Sequence, residues 1–175
     1  AGVLTRFPEN AVGQAALNTL RRYGVDTSRV LRGGARLGLY YFEKGTNIRP
    51  TNVIYDRAGS AFATLSRGDL DWPKLLDGVD LFYFSGITPA LSDEMAKALL
   101  DALQYCAGHG VKVACGLNYR GKMWTPEKAQ AVMATLMPYV NLCIANDEDF
   151  EASLGIRAFD GRMARGLDQV ADVRP

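Results

Sequence analysis

The stretch most suggestive of chemistry is Asn118-Tyr119-Arg120, which directly follows the apolar run "VKVACGL". A guanidinium presents a planar fork of donors that grips a carboxylate through two hydrogen bonds, so Arg120 is a candidate for recognising a carboxylate or another anion. The alternative is that Asn118 only forms a turn and Arg120 only reaches solvent. The ligand interpretation rests on position, because ligands bind beyond the carboxyl ends of parallel strands.

A second candidate set lies nearer the start of the chain. Tyr55 and Arg57 of "YDR" could act with Tyr40 as a polar-aromatic cover over a binding site. The alternative is a surface ion pair between Asp56 and Arg57, which would contribute little stability. Taken alone, the ion pair is the simpler interpretation, because charged side chains are ordinary on protein surfaces.

A third candidate is the acidic segment "NDEDFE" at residues 146–151. Acidic residues in the first turn of a helix compensate its dipole, and on sequence alone this is the better interpretation. The alternative is that a carboxylate here orders the water ligands of magnesium, which retains much of its hydration and needs only one or two such groups.

Two other motifs do not carry chemistry. "RGGARLG" at 32–38 has neither the Lys-Ser/Thr nor the helix that complete a phosphate-binding loop, and two glycines in a hairpin turn explain it. Cys106 and His109 are three residues apart on a predicted helix, but a zinc site needs further ligands, and Cys115 and Cys143 lie on apolar strands.

The elements that must position the candidates follow from periodicity. Residues 79–86 are a continuous apolar run typical of a strand covered on both faces. Residues 111–117 and 141–145 predict two further strands, and amphipathic helices separate the three. This alternation predicts parallel βαβ units. Upstream, "RVLRG", "LGLYYFEK" and "PTNVIYD" predict three strands whose short connections indicate antiparallel pairing. The fold class is therefore α/β, with a small antiparallel flap and a ligand edge formed by residues 85–91, 118–124 and 146–149.

Composition excludes several classes of function. The 175 residues are 48% hydrophobic and 22% charged, with a net charge of +1, so no electrostatic case exists for nucleic acid or membrane as the main partner. No membrane span or signal peptide is visible, and an odd number of cysteines, three, fits the reducing cytoplasm. The start without Met and the end at "ADVRP" suggest a fragment of a longer protein.

Several motifs, in this order and spacing, resemble the ribokinase-like (PfkB) carbohydrate kinases. They are "GVDTS", "LGLYYFEKG", "VIYDRAGSA", "SGITPALS", "LNYRGKMW" and "NDEDFEASLGI". The resemblance covers essentially the whole chain and is greatest to the 2-keto-3-deoxygluconate kinase branch, for which "SGITPAL" and "NYR" followed by Trp are fairly specific.

The resemblance implies a three-layer α/β/α fold with a mostly parallel sheet, residues 1–175 being one partial domain with lid strands around 37–57. It implies ATP- and Mg²⁺-dependent phosphorylation of a sugar acid to its 6-phosphate in the cytoplasm, and a homo-oligomer formed through the lid. The implied substrate contacts are Tyr40, Tyr55, Arg57, Ile87 and Arg120. The implied phosphate and magnesium side is Asn118, Asn146, Glu148 and Asp149, with no direct metal ligand.

The sequence departs from the family pattern in three places. The family's Asn-x-x-Glu motif is matched by Asn146, but Asp149 stands at its last position with Glu148 beside it, and either carboxylate could serve. Related kinases commonly carry Asp where Gly116 stands; glycine could permit close backbone approach or mark impaired function. The catalytic Asp and its anion hole would lie beyond residue 175, so we expect these 175 residues alone to be inactive.

Two other functions remain open from sequence. One is a fructokinase or another ribokinase-like sugar kinase. The other is a non-catalytic α/β module that binds a sugar or a partner subunit.

Overall fold

The computed structural model describes residues 1–157. The chain divides into two compact units, Ala1–Asp71 and a second that begins at Trp72. Within residues 1–157, no helix combines the length and apolar character that crossing a bilayer would require.

The first unit opens with a β-α-β arrangement. Strand β1 (Thr5–Phe7) is followed by helix α1 (Ala11–Arg22) and strand β2 (Val30–Arg32), and the two strands pair in parallel. As predicted, Asn10 caps α1, its side chain accepting a hydrogen bond from the Gly13 N–H at 3.0 Å. The predicted antiparallel pairing of "RVLRG" is wrong, because α1 supplies the crossover that lets β2 pair with β1.

The glycine pair after β2 does not form a hairpin. Strand β2 pairs with β1, whereas the next strand, β3 (Leu39–Glu43), pairs with β4 (Asn52–Asp56). Gly34 has a φ of +78°, and a Cβ there would lie 2.7 Å from the Cα of Ala61. The hairpin interpretation is therefore wrong, and Gly34 is required by backbone conformation and close chain approach.

Strands β3 and β4 form the predicted antiparallel flap. Tyr40 lies opposite Tyr55, and Phe42 opposite Val53, on one face, while Tyr41 lies opposite Ile54 on the other. Every residue of β3 is exposed. A two-stranded ribbon buries little of itself, so these aromatic side chains remain available to a ligand or a partner.

The second unit contains the predicted parallel sheet, in the order β5-β6-β7. Its elements along the chain are α2 (Trp72–Leu75), β5 (Leu81–Ser85), α3 (Ile87–Ala90), α4 (Asp93–His109), β6 (Lys112–Gly116), α5 (Pro126–Leu136), β7 (Leu142–Ile144) and α6 (Asp147–Leu154).

Helices α4 and α5 begin where the sequence predicts. The side chains of Ser92 and Thr125 accept hydrogen bonds from the third residue of α4 and α5, at 3.1 and 3.4 Å. Gly110 ends α4 in the left-handed conformation, with φ +73°. The predicted apolar stripe of α4 is buried; it comprises Met95, Ala98, Leu99, Ala102, Leu103 and Cys106.

The two faces of the parallel sheet differ. Phe84, Val113 and Cys115 on one face are buried, and α4 contacts β6. On the other face Leu81 and Tyr83 are 57% and 55% exposed. The prediction that β5 is covered on both faces is therefore wrong for the described residues, since its apolar run reflects one covered face and one open face.

Candidate active site

The ends of β5 and β6 are held together by backbone contacts. The Gly86 N–H donates to the Gly116 carbonyl at 2.8 Å. A Cβ at position 86 would clash with the Leu117 carbonyl oxygen, although Gly86 itself has ordinary right-handed helical angles. Gly86 is thus required for close approach, which brings the segment after β5 against the segment after β6.

Ser85 connects two of the predicted site residues. Its hydroxyl oxygen accepts hydrogen bonds from the Ile87 N–H and from Asn118 Nδ2, both at 3.3 Å. Asn118 has a φ of +45°, a left-handed conformation that asparagine tolerates better than most residues. The turn at 118 therefore fixes the amide beside the start of α3.

The start of α6 is tied to the same edge. Asn146 caps α6 by accepting a hydrogen bond from the Asp149 N–H at 2.7 Å. Asp149 Oδ1 in turn accepts a hydrogen bond from the Tyr119 N–H at 3.0 Å. The structure thus brings Ile87, Asn118, Asn146 and Asp149 together at the carboxyl ends of the parallel strands, as predicted.

Arg120 and Glu148 are both exposed at this edge. One N–H of the Arg120 guanidinium donates to the Tyr119 carbonyl at 2.8 Å, which leaves further donors of its planar fork. Three acidic residues occupy the first turn of α6: Asp147, Glu148 and Asp149. Such a cluster suits a hydrated cation better than a bare phosphate.

Magnesium fits this edge only through water. Within residues 1–157, no group of three or more His, Cys, Asp or Glu side chains is arranged to hold a metal ion. Asp149 Oδ1 already accepts a hydrogen bond from the Tyr119 N–H, whereas the Glu148 side chain makes no polar contact within residues 1–157. Of the two carboxylates left open by the sequence, Glu148 is the less constrained.

The predicted residues of the flap lie together in the first unit. The rings of Tyr40 and Tyr55 have centroids 6.4 Å apart, and the Arg57 guanidinium carbon lies 4.4 Å from the Tyr55 centroid. Asp56 pairs with Arg36. Two phenols and a cation on one short ribbon form a surface that can bind a polyhydroxylated anion.

The cysteine beside this edge is not a nucleophile. Cys115 is fully buried in β6. Burial, and secondarily the Cys143 thiol on the neighbouring strand, raise the pKa of Cys115 to about 12. The thiol is therefore uncharged at neutral pH, when only a thiolate would react.

Sequence reasoning assigned no contact to three contributors. Ser85 bridges Ile87 to Asn118, and the Tyr119 hydroxyl donates to the Trp124 carbonyl at 3.0 Å, which closes the loop after β6. Tyr83 places its hydroxyl over Gly116. Ser85 could have been found from its place at a strand end beside a glycine, whereas the contacts of Tyr83 and Tyr119 depend on backbone direction.

The family is decided by a match to the pfkB family of carbohydrate kinases over residues 1–172. The chain belongs to this family. It is 38% identical over 154 residues to a 2-dehydro-3-deoxygalactonokinase of Haloferax volcanii. The aligned segment covers 88% of this chain and 48% of that protein.

Solved structures agree. The crystal structure of 2-dehydro-3-deoxygluconokinase from Thermotoga maritima matches with a TM-score of 0.91 and 46% identity, covering 99% of this chain and 52% of that one. A sugar kinase from Pyrococcus horikoshii, solved in complex with ATP, matches with a TM-score of 0.71 and 13% identity. The match covers 89% of this chain and 51% of that one, and at this identity it shows the fold alone.

Two conclusions follow from these likenesses. The predicted ribokinase-like α/β fold, present as a partial domain, is confirmed. The chain spans about half the length of the relatives it matches.

Proposed function

We propose that the protein containing this chain transfers the γ-phosphoryl group of ATP to the primary hydroxyl of a 2-keto-3-deoxy sugar acid, most simply 2-keto-3-deoxygluconate. The observation that carries the proposal is the family match over residues 1–172 together with relatives named for 2-dehydro-3-deoxy sugar acids. The galacto epimer is the second candidate, because one relative bears that name.

Recognition of the carboxylate falls to Arg57 and Arg120. Arg57 lies over Tyr55 on the flap, and Arg120 is exposed beyond β6. Each guanidinium can form paired hydrogen bonds with a carboxylate. The hydroxyls of Tyr40 and Tyr55 and the backbone beside Ile87 are assigned to the sugar hydroxyl groups, which need uncharged donors and acceptors.

In the reaction, the sugar hydroxyl oxygen forms a bond to the γ-phosphorus while the bond from that phosphorus to the β–γ bridging oxygen breaks. The hydroxyl proton passes to a base, which the family resemblance places beyond residue 175. Asn118 and Asn146 are assigned to the phosphate side. Glu148 or Asp149 would order the water shell of Mg²⁺, which neutralises charge on the transferred group.

The remaining assignments concern assembly and compartment. The flap face carrying Tyr41 and Ile54 is apolar and exposed, and lies opposite the face assigned to substrate. We assign this second face to pairing with another copy of the protein, which would make it a homo-oligomer. We further assign residues 1–175 to one partial domain, and the protein to the cytoplasm. Size-exclusion chromatography with Tyr41→Glu tests this assignment, which predicts a smaller species.

The test of substrate class uses the gene product that contains this chain in an ADP-coupled assay. Substrates are 2-keto-3-deoxygluconate, 2-keto-3-deoxygalactonate and fructose. Loss of a charge-assisted hydrogen bond costs about 1.5–3 kcal/mol. Arg57→Ala and Arg120→Ala are therefore expected to lower kcat/KM for the sugar acids by about 10–100-fold, and for fructose by far less.

The matched control is Arg22→Ala, which removes an exposed guanidinium from the last turn of α1. It should leave all three substrates unaffected. Equal losses for acid and neutral sugars in the Arg57 and Arg120 variants would contradict a carboxylate-reading site and favour a fructokinase or another neutral-sugar kinase. An absence of turnover with any substrate would favour the non-catalytic module.

A further inference from the structure

At the end of β6, a neighbouring phenol fills the place of a missing side chain. Gly116 is buried and pairs with Ser85 of β5. A Cβ at position 116 would clash with the Tyr83 hydroxyl oxygen, and would lie 3.4 Å from Tyr83 Cζ and 3.3 Å from Asn118 Nδ2. The close neighbours are side chains rather than backbone, so this glycine does not serve the close backbone approach considered from sequence.

Tyr83 is exposed on the open face of the parallel sheet. Tyr83 lies on the open face of the sheet and is 55% exposed, with the small Ala114 paired beside it. Within residues 1–157 its hydroxyl makes no hydrogen bond. A phenol can donate one hydrogen bond and accept others, so its capacity is unused at an edge where Ser85 and Asn118 already form a polar cluster.

We propose that Tyr83 is a substrate-binding residue whose hydroxyl hydrogen-bonds an alcohol group of the sugar acid; this rests on the proposed function. A phenol can both donate to an alcohol and accept from it, whereas it can only donate to a phosphate oxygen. The Tyr83 hydroxyl and Asn118 Nδ2 both lie next to the position that a Cβ of residue 116 would take. Asn118 Nδ2 donates to the Ser85 hydroxyl, which also accepts the Ile87 N–H. Tyr83 therefore lies at the edge where Asn118, assigned to the phosphate side, meets Ile87, assigned to the sugar, which is where the reacting sugar alcohol must lie.

Gly116 has a specific part in this arrangement. The clash of an added Cβ is with the hydroxyl oxygen, whereas the ring carbon Cζ would be at an ordinary contact distance. Alanine at position 116 should therefore push the tyrosine hydroxyl away but should tolerate a phenylalanine ring at position 83. This predicts a coupling between the two positions that a double-mutant cycle can measure.

The experiment compares the wild-type gene product with Tyr83→Phe, Gly116→Ala and the double variant. KM is measured for 2-keto-3-deoxygluconate and for ATP, together with Tm. Tyr83→Phe is expected to raise KM for the sugar acid about tenfold, the loss of one hydrogen bond, with KM for ATP within about twofold. Gly116→Ala is expected to raise the same KM and lower Tm in the wild-type background, and to change both much less in the Tyr83→Phe background.

Tyr105→Phe is the matched control, because Tyr105 lies on α4 and its ring stacks on His109. It should leave KM unchanged. An unchanged sugar-acid KM in Tyr83→Phe, or an increase confined to the KM for ATP, would overturn the inference while leaving the proposed function intact. An inactive wild-type protein would instead refute the proposed function, and the inference with it.

Discussion

Replacing Gly86 with alanine is expected to destabilise the protein and to damage the candidate site at the same time. The new methyl group would clash with the Leu117 carbonyl oxygen. Because this atom belongs to the backbone, the clash cannot be relieved by turning a side chain. The loop after β5 and the loop after β6 must separate instead.

The expected cost has two parts. Separation would break the hydrogen bond from the Gly86 N–H to the Gly116 carbonyl, at 2.8 Å in the wild type, which contributes about 0.5–1.5 kcal/mol. Overpacking in a close contact costs about 1–3 kcal/mol. Backbone strain does not add to these, because Gly86 has φ −58° and ψ −12°, which alanine adopts readily. The free energy of unfolding should therefore fall by about 1.5–4.5 kcal/mol.

Urea unfolding followed by circular dichroism measures this change. The matched control is Gly108→Ala in α4, where a Cβ meets no atom within 4 Å. That variant should be stabilised by about 0.5–1 kcal/mol, since alanine favours helix over glycine. If Gly86→Ala is as stable as the wild type, the close approach of the two loops does not exist as described and the geometry of this edge is refuted.

Three further predictions concern Asp149, Asp69 and Cys115. Asp149→Ala should lower the free energy of unfolding by about 1–2 kcal/mol, because the Tyr119 N–H loses its acceptor. Asp149→Asn should lose less stability because it keeps an acceptor oxygen. Chemical denaturation measures both changes, and equal losses would contradict the role of Asp149 as this acceptor. The Ser66 N–H, and secondarily its hydroxyl, lower the pKa of Asp69. The stability contributed by this carboxylate should therefore be present at neutral pH and be lost as the pH falls below the usual carboxyl pKa of 3.8. The free energies of unfolding of the wild type and of Asp69→Asn should converge over that acid range. A constant difference between them would argue against this role of Asp69. Burial raises the pKa of Cys115, so iodoacetamide at pH 8 should leave Cys115 unmodified in the native protein and should alkylate it in urea. Mass spectrometry measures the modification. Alkylation of Cys115 without denaturant would contradict its burial in β6.

The parts of the fold that sequence predicted are those set by local chemistry. Asn10, Ser92 and Thr125 cap helices because a short polar side chain before an apolar stripe satisfies the first free N–H groups. Strand pairing in the first unit could not be predicted in the same way. The "RVLRG" strand pairs in parallel with β1, which precedes α1, rather than with β3, which follows it. The residues of the strand do not indicate which of these neighbours it pairs with.

For the site, sequence predicted the ligand edge but not its internal contacts. Asn118 and Asn146 were identifiable because each follows an apolar run. The bridge through Ser85 and the contact of Asp149 with the Tyr119 N–H depend on which loops approach one another, and that is set by Gly86. The place of the Tyr83 hydroxyl over Gly116 joins residues 33 positions apart, beyond the reach of any local pattern.

The most direct test of the central claim is the kcat/KM of the wild-type gene product for 2-keto-3-deoxygluconate relative to fructose, with ATP as phosphoryl donor. The account predicts a ratio well above about 100, since two arginines that each contribute a charge-assisted hydrogen bond read the carboxylate. A ratio near or below one, with robust turnover of fructose, would contradict it.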